Sequence, residues 1–302
     1  MNKRILVIYY SQTGQLKEIA QNMVEPFEQD ASYEVDYYNI QPIQDYPFPW
    51  DNASFFGVFP DSFQQIPTAI KPPPEKVLQG DYDLIILAYQ IWFLTPAIPI
   101  NSFLKSTYAD QIIKGKKVVS VIGCRNMWAK AQHKMKQLIQ NVGGELVGNV
   151  AFVDRHLNHI SVITIVHWMM GGKKDRKFGI FPKPGVAQKD IDQASGFGEL
   201  VKNASKTNDF SNLQNEIAEA GGVDIKPFII FMDEKANKMF SIWSRFILKN
   251  DKNRKLKLKF FKAYLLTAIW VISPIVYLIF LLTYPLRLNQ IKRKKAFYSG
   301  VN

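Results

Sequence analysis

The stretch RILVIYYSQTGQ, residues 4–15, decides how the rest of the chain is read. Residues 4–10 form a short, continuous apolar run with β-branched members, the pattern of a strand buried on both faces in a parallel sheet. A small polar loop follows: Ser11, Gln12, Thr13, Gly14 and Gln15. Beyond it, Leu16, Ile19, Ala20, Met23 and Phe27 fall on one face of a helix. A strand that ends in such a loop presents hydroxyls, backbone N–H groups and the positive end of a helix dipole, which together suit an anion. Ser or Thr before a helix also serves as a plain cap. The loop alone therefore leaves both readings open.

Moving outward, the same rhythm repeats. Further strands are expected at residues 33–38, 84–88, 117–122 and 145–153, with helical patterns at about 98–107 and 127–141. Strands and helices in alternation with short loops imply an α/β, doubly wound, parallel five-stranded sheet over residues 1–153. Residues 41–79 interrupt the rhythm. They carry eight prolines, including Pro72, Pro73 and Pro74, among Tyr46, Phe48, Trp50, Phe55, Phe56, Phe59 and Phe63. A loop of this length in a compact domain is usually functional or disordered, and its aromatic content argues against disorder.

The strand–SQTGQ–helix start resembles flavodoxin-like proteins, whose first loop wraps the phosphate of FMN. Residues 82–96, YDLIILAYQIWFLTP, look like the family's strand followed by a loop that brings an aromatic to the flavin ring. Residues 123–128, GCRNMW, match the second ring loop. The resemblance covers residues 1–153 and departs at Leu16, where many flavodoxins carry Thr. It implies FMN as cofactor, with Ser11, Gln12, Thr13, Gly14 and Gln15 on the phosphate. Tyr89, Gln90, Ile91, Trp92 and Phe93 would edge the ring on one side. Cys124, Arg125, Asn126 and Met127 would edge it on the other. Trp92 or Phe93 could stack on the ring, and Arg125 could stabilise the anionic reduced flavin. Cys124 reads as a packed thiol, since His133 has no orienting partner to make a nucleophile pair.

Residues 154–248 leave that pattern and read as an apolar extension that covers the site or holds substrate. They open on Asp154, Arg155 and His156, continue through the apolar stretch LNHISVITIVHWMMGG, and end in residues 226–248, an amphipathic segment leading to the membrane. The apolar stretch is too short to span a bilayer. It reads as a core helix, a membrane-dipping segment or a wall of an acyl-chain tunnel. His156, His159 and His167 lack the carboxylate or cysteine neighbours of a metal site, so no metal is expected.

The charge is uneven. The chain has 302 residues and a formal charge of +12. Residues 1–248 hold 26 basic and 25 acidic residues, whereas residues 249–302 hold 12 basic residues and only Asp251 as an acid. A neutral body excludes a general nucleic-acid surface. In the tail, residues 263–286 run 24 positions without a charge, roughly 36 Å as a helix against about 30 Å of hydrocarbon. Seven basic residues precede the run and five follow it. A single span or a re-entrant hairpin broken at Pro274 both fit, the span being favoured because Pro is tolerated in membrane helices. Basic flanks also suit anionic lipid headgroups. With one cysteine and no signal peptide, the expected place is a cytoplasmic body anchored to the inner membrane.

Taken together, YYSQTGQ, GCRNMW, DRHLNHISVITIVHWMMGGKK, FPKPGV and the basic membrane tail resemble the dialkylresorcinol condensing enzymes of flexirubin and dialkylresorcinol biosynthesis. Carbon–carbon condensation would want a cysteine nucleophile with basic partners, and none is evident. A flavin instead suits aromatisation, in which a dialkylcyclohexane-1,3-dione loses two hydrogens to become the resorcinol. Tyr89 and His156 are the candidate bases. The expected partners are a lipophilic substrate, membrane lipid and a ketosynthase of the same pathway. The alternatives are an electron carrier, an NAD(P)H:quinone reductase, and a non-redox partner of the ketosynthase.

Overall fold

A computed structural model describes residues 2–250 and 252–301; Met1, Asp251 and Asn302 lie outside the described residues. Five parallel strands form the sheet: β1 Lys3–Tyr9, β2 Tyr33–Asn39, β3 Leu84–Trp92, β4 Lys117–Cys124 and β5 Glu145–Val153. Their order is β2-β1-β3-β4-β5. This is the doubly wound order of the flavodoxin-like fold, with its reversal point between β1 and β3. The central strands carry continuous apolar runs because both of their faces are covered; Ile5, Leu6, Val7 and Ile8 are wholly buried, as are Leu84 through Tyr89.

The connecting helices are α1 Gln15–Glu28, α2 Ile98–Leu104, α3 Thr107–Ile113 and α4 Ala129–Asn141. Right-handed crossovers put α1 on one face of the sheet and α2 to α4 on the other. β3 runs four residues past the expected end at Ala88, because its last two residues pair with a short antiparallel segment, Thr95–Pro96. The insert at residues 41–79 is ordered. Its ends pair through Pro42 and Ile70, and it contains short helices at Asn52–Gly57, Phe59–Phe63 and Glu75–Leu78. Asp51 caps the first of these, accepting hydrogen bonds from the backbone N–H groups of Ala53 and Ser54.

After β5 the chain divides its work. Helix α5, Asn158–Gly171, lies over the carboxyl ends of the strands. Helices α6 Ala194–Thr207 and α7 Leu213–Glu219 pack outside α1 and β5. Here α6 comes so close that a Cβ at Gly198 would lie 2.0 Å from the Met23 carbonyl oxygen. Residues 154–248, expected as one cover, are thus part cover and part structural layer.

Three helices complete the chain: α8 Pro227–Leu248, α9 Arg254–Leu282 and α10 Leu288–Ser299. α9 passes through Pro274 without a break, so there is no hairpin at that position. A wide π turn, Ala268–Ile272, lies just before the proline and accommodates its ring and missing N–H. α9 lies antiparallel along α8. Phe240 and Trp243 meet Phe261 and Tyr264, and Phe228 and Phe231 meet Phe280. Its start is pinned to the insert: Phe261 stacks on Phe59 at 3.7 Å, and Arg254 pairs with Asp61 at 2.7 Å. α10 then returns to the body. Lys294 pairs with Glu234, Tyr298 is buried, and Lys136 and Gln214 donate to the carbonyls of Gly300 and Ser299. By length and composition α9 could cross a membrane, and most of it is exposed, including Val271, Ile275, Leu278 and Leu282.

Candidate functional site

The strand ends, α5 and the insert enclose one cavity of about 260 Å3. The first loop contributes Gln12, Thr13 and Gln15; the β3 loop contributes Gln90, Ile91, Trp92 and Phe93; the β4 loop contributes Gly123, Cys124 and Arg125. The insert adds Trp50, Phe55 and Val58, and α5 adds Ile165, Val166, Trp168, Met169 and Met170. The three loops singled out in the sequence therefore converge. The two aromatic-rich covers come from the insert at residues 41–79 and from α5.

In the first loop the backbone N–H groups of Gln12, Thr13 and Gly14 make no hydrogen bond among the described residues, and Gly14 adopts φ +85°. Such a turn into a helix N-terminus is an anion cradle. The Ser11 hydroxyl accepts from the Lys17 backbone N–H at 3.3 Å, as a cap does. Neither glutamine side chain is free for a ligand. Gln12 donates to the Pro47 carbonyl at 2.8 Å and accepts from the Trp50 indole at 3.0 Å, which fastens the insert. Gln15 exchanges two 3.0 Å hydrogen bonds with the backbone of Val186, which fastens the segment after α5. Beside it, Gly185 has φ +82°, and a Cβ there would sit 2.6 Å from the Gln15 amide oxygen and 2.7 Å from the Trp168 ring. Only glycine fits.

The β3 loop is a tight hairpin. Phe93 and Leu94 adopt φ +48° and +65° between the paired residues Trp92 and Thr95. Two consecutive left-handed residues make a turn that normally holds Asn-Gly, so bulky side chains here store strain of about 1–3 kcal/mol each. The wholly buried Thr95 holds the turn, its hydroxyl 2.9 Å from the Trp92 carbonyl and 3.0 Å from that of Ser62. Phe93 packs on Phe55 and Phe59, and Trp92 is ringed edge-on by Tyr10, Tyr46 and Trp50.

In the β4 loop, Arg125 donates to the Asn158 side-chain oxygen at 2.6 Å, and Asn126 donates to the same atom at 2.9 Å. Desolvation draws the Arg125 pKa down to about 10, against the attraction of Asp154, so it stays charged at neutral pH. Desolvation pushes the Cys124 thiol well above its ordinary range, which removes any nucleophilic role at neutral pH. Asn126 and Met127 belong to the loop but do not line the cavity.

The two candidate bases fare differently. Tyr89 is wholly buried and does not line the cavity. Its hydroxyl donates to Gln132 at 2.6 Å, which continues through Ser120 to Asn149 as a buried chain. Desolvation raises its pKa well above normal. These facts take Tyr89 out of reach as a base. His156 forms a dyad with Asp154, Nδ1 to Oδ1 at 2.6 Å, and its ring is partly exposed. Asp154 is a partner for His156 to which the sequence assigns no role. It is buried, with Oδ2 unpartnered, and its backbone N–H donates to the Cys124 carbonyl at 3.2 Å; neither Asp154 nor His156 lines the cavity, so the dyad stands beside it, behind the Cys124 wall. The signal was its position, one residue past the last strand. His159 and His167 are engaged elsewhere, near the Ile269 carbonyl and Asp175.

No protein-family model and no curated protein matches this chain. Solved structures do resemble its α/β part. A flavoprotein described as putative from Bacteroides eggerthii is 23% identical over 57% of this chain and 100% of its own, with a TM-score of 0.40. A flavoprotein in complex with FMN from Lactobacillus acidophilus is 20% identical over 49% of this chain and 93% of its own, TM-score 0.39. An oxidised flavodoxin from Bacillus cereus is 16% identical over 65% and 95%, TM-score 0.36. The strand order, rather than these scores, makes the fold flavodoxin-like.

Proposed function

We propose that the chain is a membrane-associated, FMN-dependent oxidoreductase that aromatises a dialkylcyclohexane-1,3-dione to a dialkylresorcinol. The observation that carries this reading is the convergence of the three strand-end loops on one covered, aromatic-walled cavity. The residues fit the cofactor: free N–H groups at the start of α1 suit its phosphate, and Trp92, Phe93 and Trp50 suit a flat ring. When bound, FMN supplies a two-electron acceptor for the hydrogen lost from the ring carbon.

The chain's own residues would do the rest. Arg125, still charged, faces the cavity and would draw a dione oxygen toward it, stabilising the enolate that forms as a proton leaves. His156, oriented by Asp154 and partly exposed beside the cavity, would take that proton from a substrate reaching past the lining. Trp50, Trp168 and Met169 add walls over the strand ends that would limit water at the site. Such walls favour an enzyme over an open electron carrier. On membrane placement, the exposed apolar side of α9 between basic flanks would lie on the bilayer surface, while the insert holds its start and α10 returns the chain beyond its end to the body.

The test is cofactor uptake. The full chain in nanodiscs should bind FMN with a yellow spectrum, and Gly185→Ala, which forces the cover away from Gln15, should weaken that binding at least tenfold. A protein that takes up no FMN sinks the proposal.

A further inference from the structure

A second cavity, of about 460 Å3, lies between α8 and α9. The two helices touch near Phe240 and Phe261 and again near Phe228 and Phe280, and they part between these zones. The walls in the gap are mostly apolar, among them Met232, Met239, Leu265, Ile269, Ile272 and Val276, while Lys235 and Arg287, each over the Phe231 ring, add cations near the Phe228–Phe280 contact. Three methionines, with Met127, give a lining that adapts to a flexible guest.

This cavity shares a wall with the first. Arg125 lines both. So does the strained hairpin turn, with Phe93 in the first cavity and Leu94 in the second. Asn158, which holds Arg125 at 2.6 Å, also lines the second cavity. On the far wall lies the π turn of α9, and π turns inside helices are frequent at functional sites. Of the cations that line the second cavity, Arg125 is the one that also faces the aromatic chamber.

We propose that the cavity between α8 and α9 holds an alkyl chain of the substrate, with Arg125 as the anchor for its polar head in the neighbouring chamber. This rests on reading the first cavity as the redox site. The class of ligand is an amphiphile with a compact, enolisable head and a hydrocarbon chain. Such a chain would be received directly beneath the helix that faces lipid.

The test uses the full FMN-loaded chain in nanodiscs and a cyclohexane-1,3-dione bearing a dodecyl chain with a terminal diazirine. After irradiation, label should appear on the inner walls, around Met239 and Val276, and an excess of unlabelled dialkyl dione should suppress it. Label on the outward residues Leu278 and Leu282, which reports lipid partition, should not be suppressed. Affinity should rise with chain length, by up to about fourfold per methylene. In Val276→Trp the dodecyl dione should lose at least tenfold in affinity and the methyl analogue less than twofold. Inner-wall label that only a diazirine phospholipid produces would assign the cavity to membrane lipid and overturn the proposal. Equal loss for both chain lengths would overturn it too. Because the label is read without turnover, inner-wall labelling in a protein whose flavin never bleaches would fault the redox reading alone.

Discussion

Residues 1–153 and residues 227–299 are both rich in apolar side chains, yet they use them in opposite ways. In the sheet, the apolar runs are short, buried on both faces and fixed in register by backbone hydrogen bonds. In α9 the run is long, touches the body along one side and leaves the other exposed. The comparison separates two meanings of hydrophobic sequence: the first builds a core, and the second builds a surface for lipid with a chamber beneath it.

The same kind of truncation in each region should break the comparison if it is wrong. Ile86→Ala in β3 removes wholly buried volume and should destabilise the protein by about 2–5 kcal/mol in urea unfolding. Leu278→Ala on exposed α9 should change that stability by less than about 0.5 kcal/mol and instead weaken flotation with anionic vesicles. Equal losses of stability would mean that α9 is a core helix.

The next effect lies at the seam between the regions. Asp233 of α8 is buried at the start of α4, accepting from the Lys130 backbone N–H at 3.0 Å and the Asn237 amide at 3.0 Å. Desolvation pushes its pKa up to about 6. The unfolded chain ionises first, near the ordinary value of 3.8, so the contribution of Asp233 to folding stability is greatest below that pH and falls as pH rises to 6. The loss should be on the order of 3 kcal/mol and flat above that range. Asp233→Asn keeps an acceptor for Lys130 and should remove this slope. An unchanged slope between pH 4 and 6 would place the titration elsewhere.

Smaller effects sharpen the site. Gly185→Ala should destabilise by about 1–3 kcal/mol, through its positive φ and its contact with Gln15 and Trp168. Thr95→Val, which removes the hydroxyl that ties the Phe93–Leu94 turn, should cost about 1–2 kcal/mol and raise the exchange rate of amides in that turn.

How far each region could be read from sequence follows from the same contrast. The strands were legible because parallel sheets demand unbroken apolar runs, and the three loops fell where such a sheet ends its strands. The end of β3 was not legible, because Phe93-Leu94 lacks the Asn-Gly chemistry of the turn it makes; tertiary packing on Phe55 and Phe59 imposes it. Trp50 and Phe55 were visible as aromatic density, but their place over the cavity depends on contacts such as Gln12 with Trp50. Tyr89 was assigned by loop position alone, and strand alternation turns its side chain into the core. In the tail, the length of the apolar run was plain. Its direction was not, since what holds it along α8 is a set of aromatic pairs far apart in sequence.

The most direct test of the central claim is anaerobic mixing of the FMN-loaded full chain with a synthetic dialkylcyclohexane-1,3-dione, with flavin absorbance and product followed together. The account predicts bleaching of the flavin with one dialkylresorcinol formed per flavin, slowed at least tenfold in His156→Gln. Bound FMN that keeps its oxidised spectrum in the presence of saturating dione would contradict it.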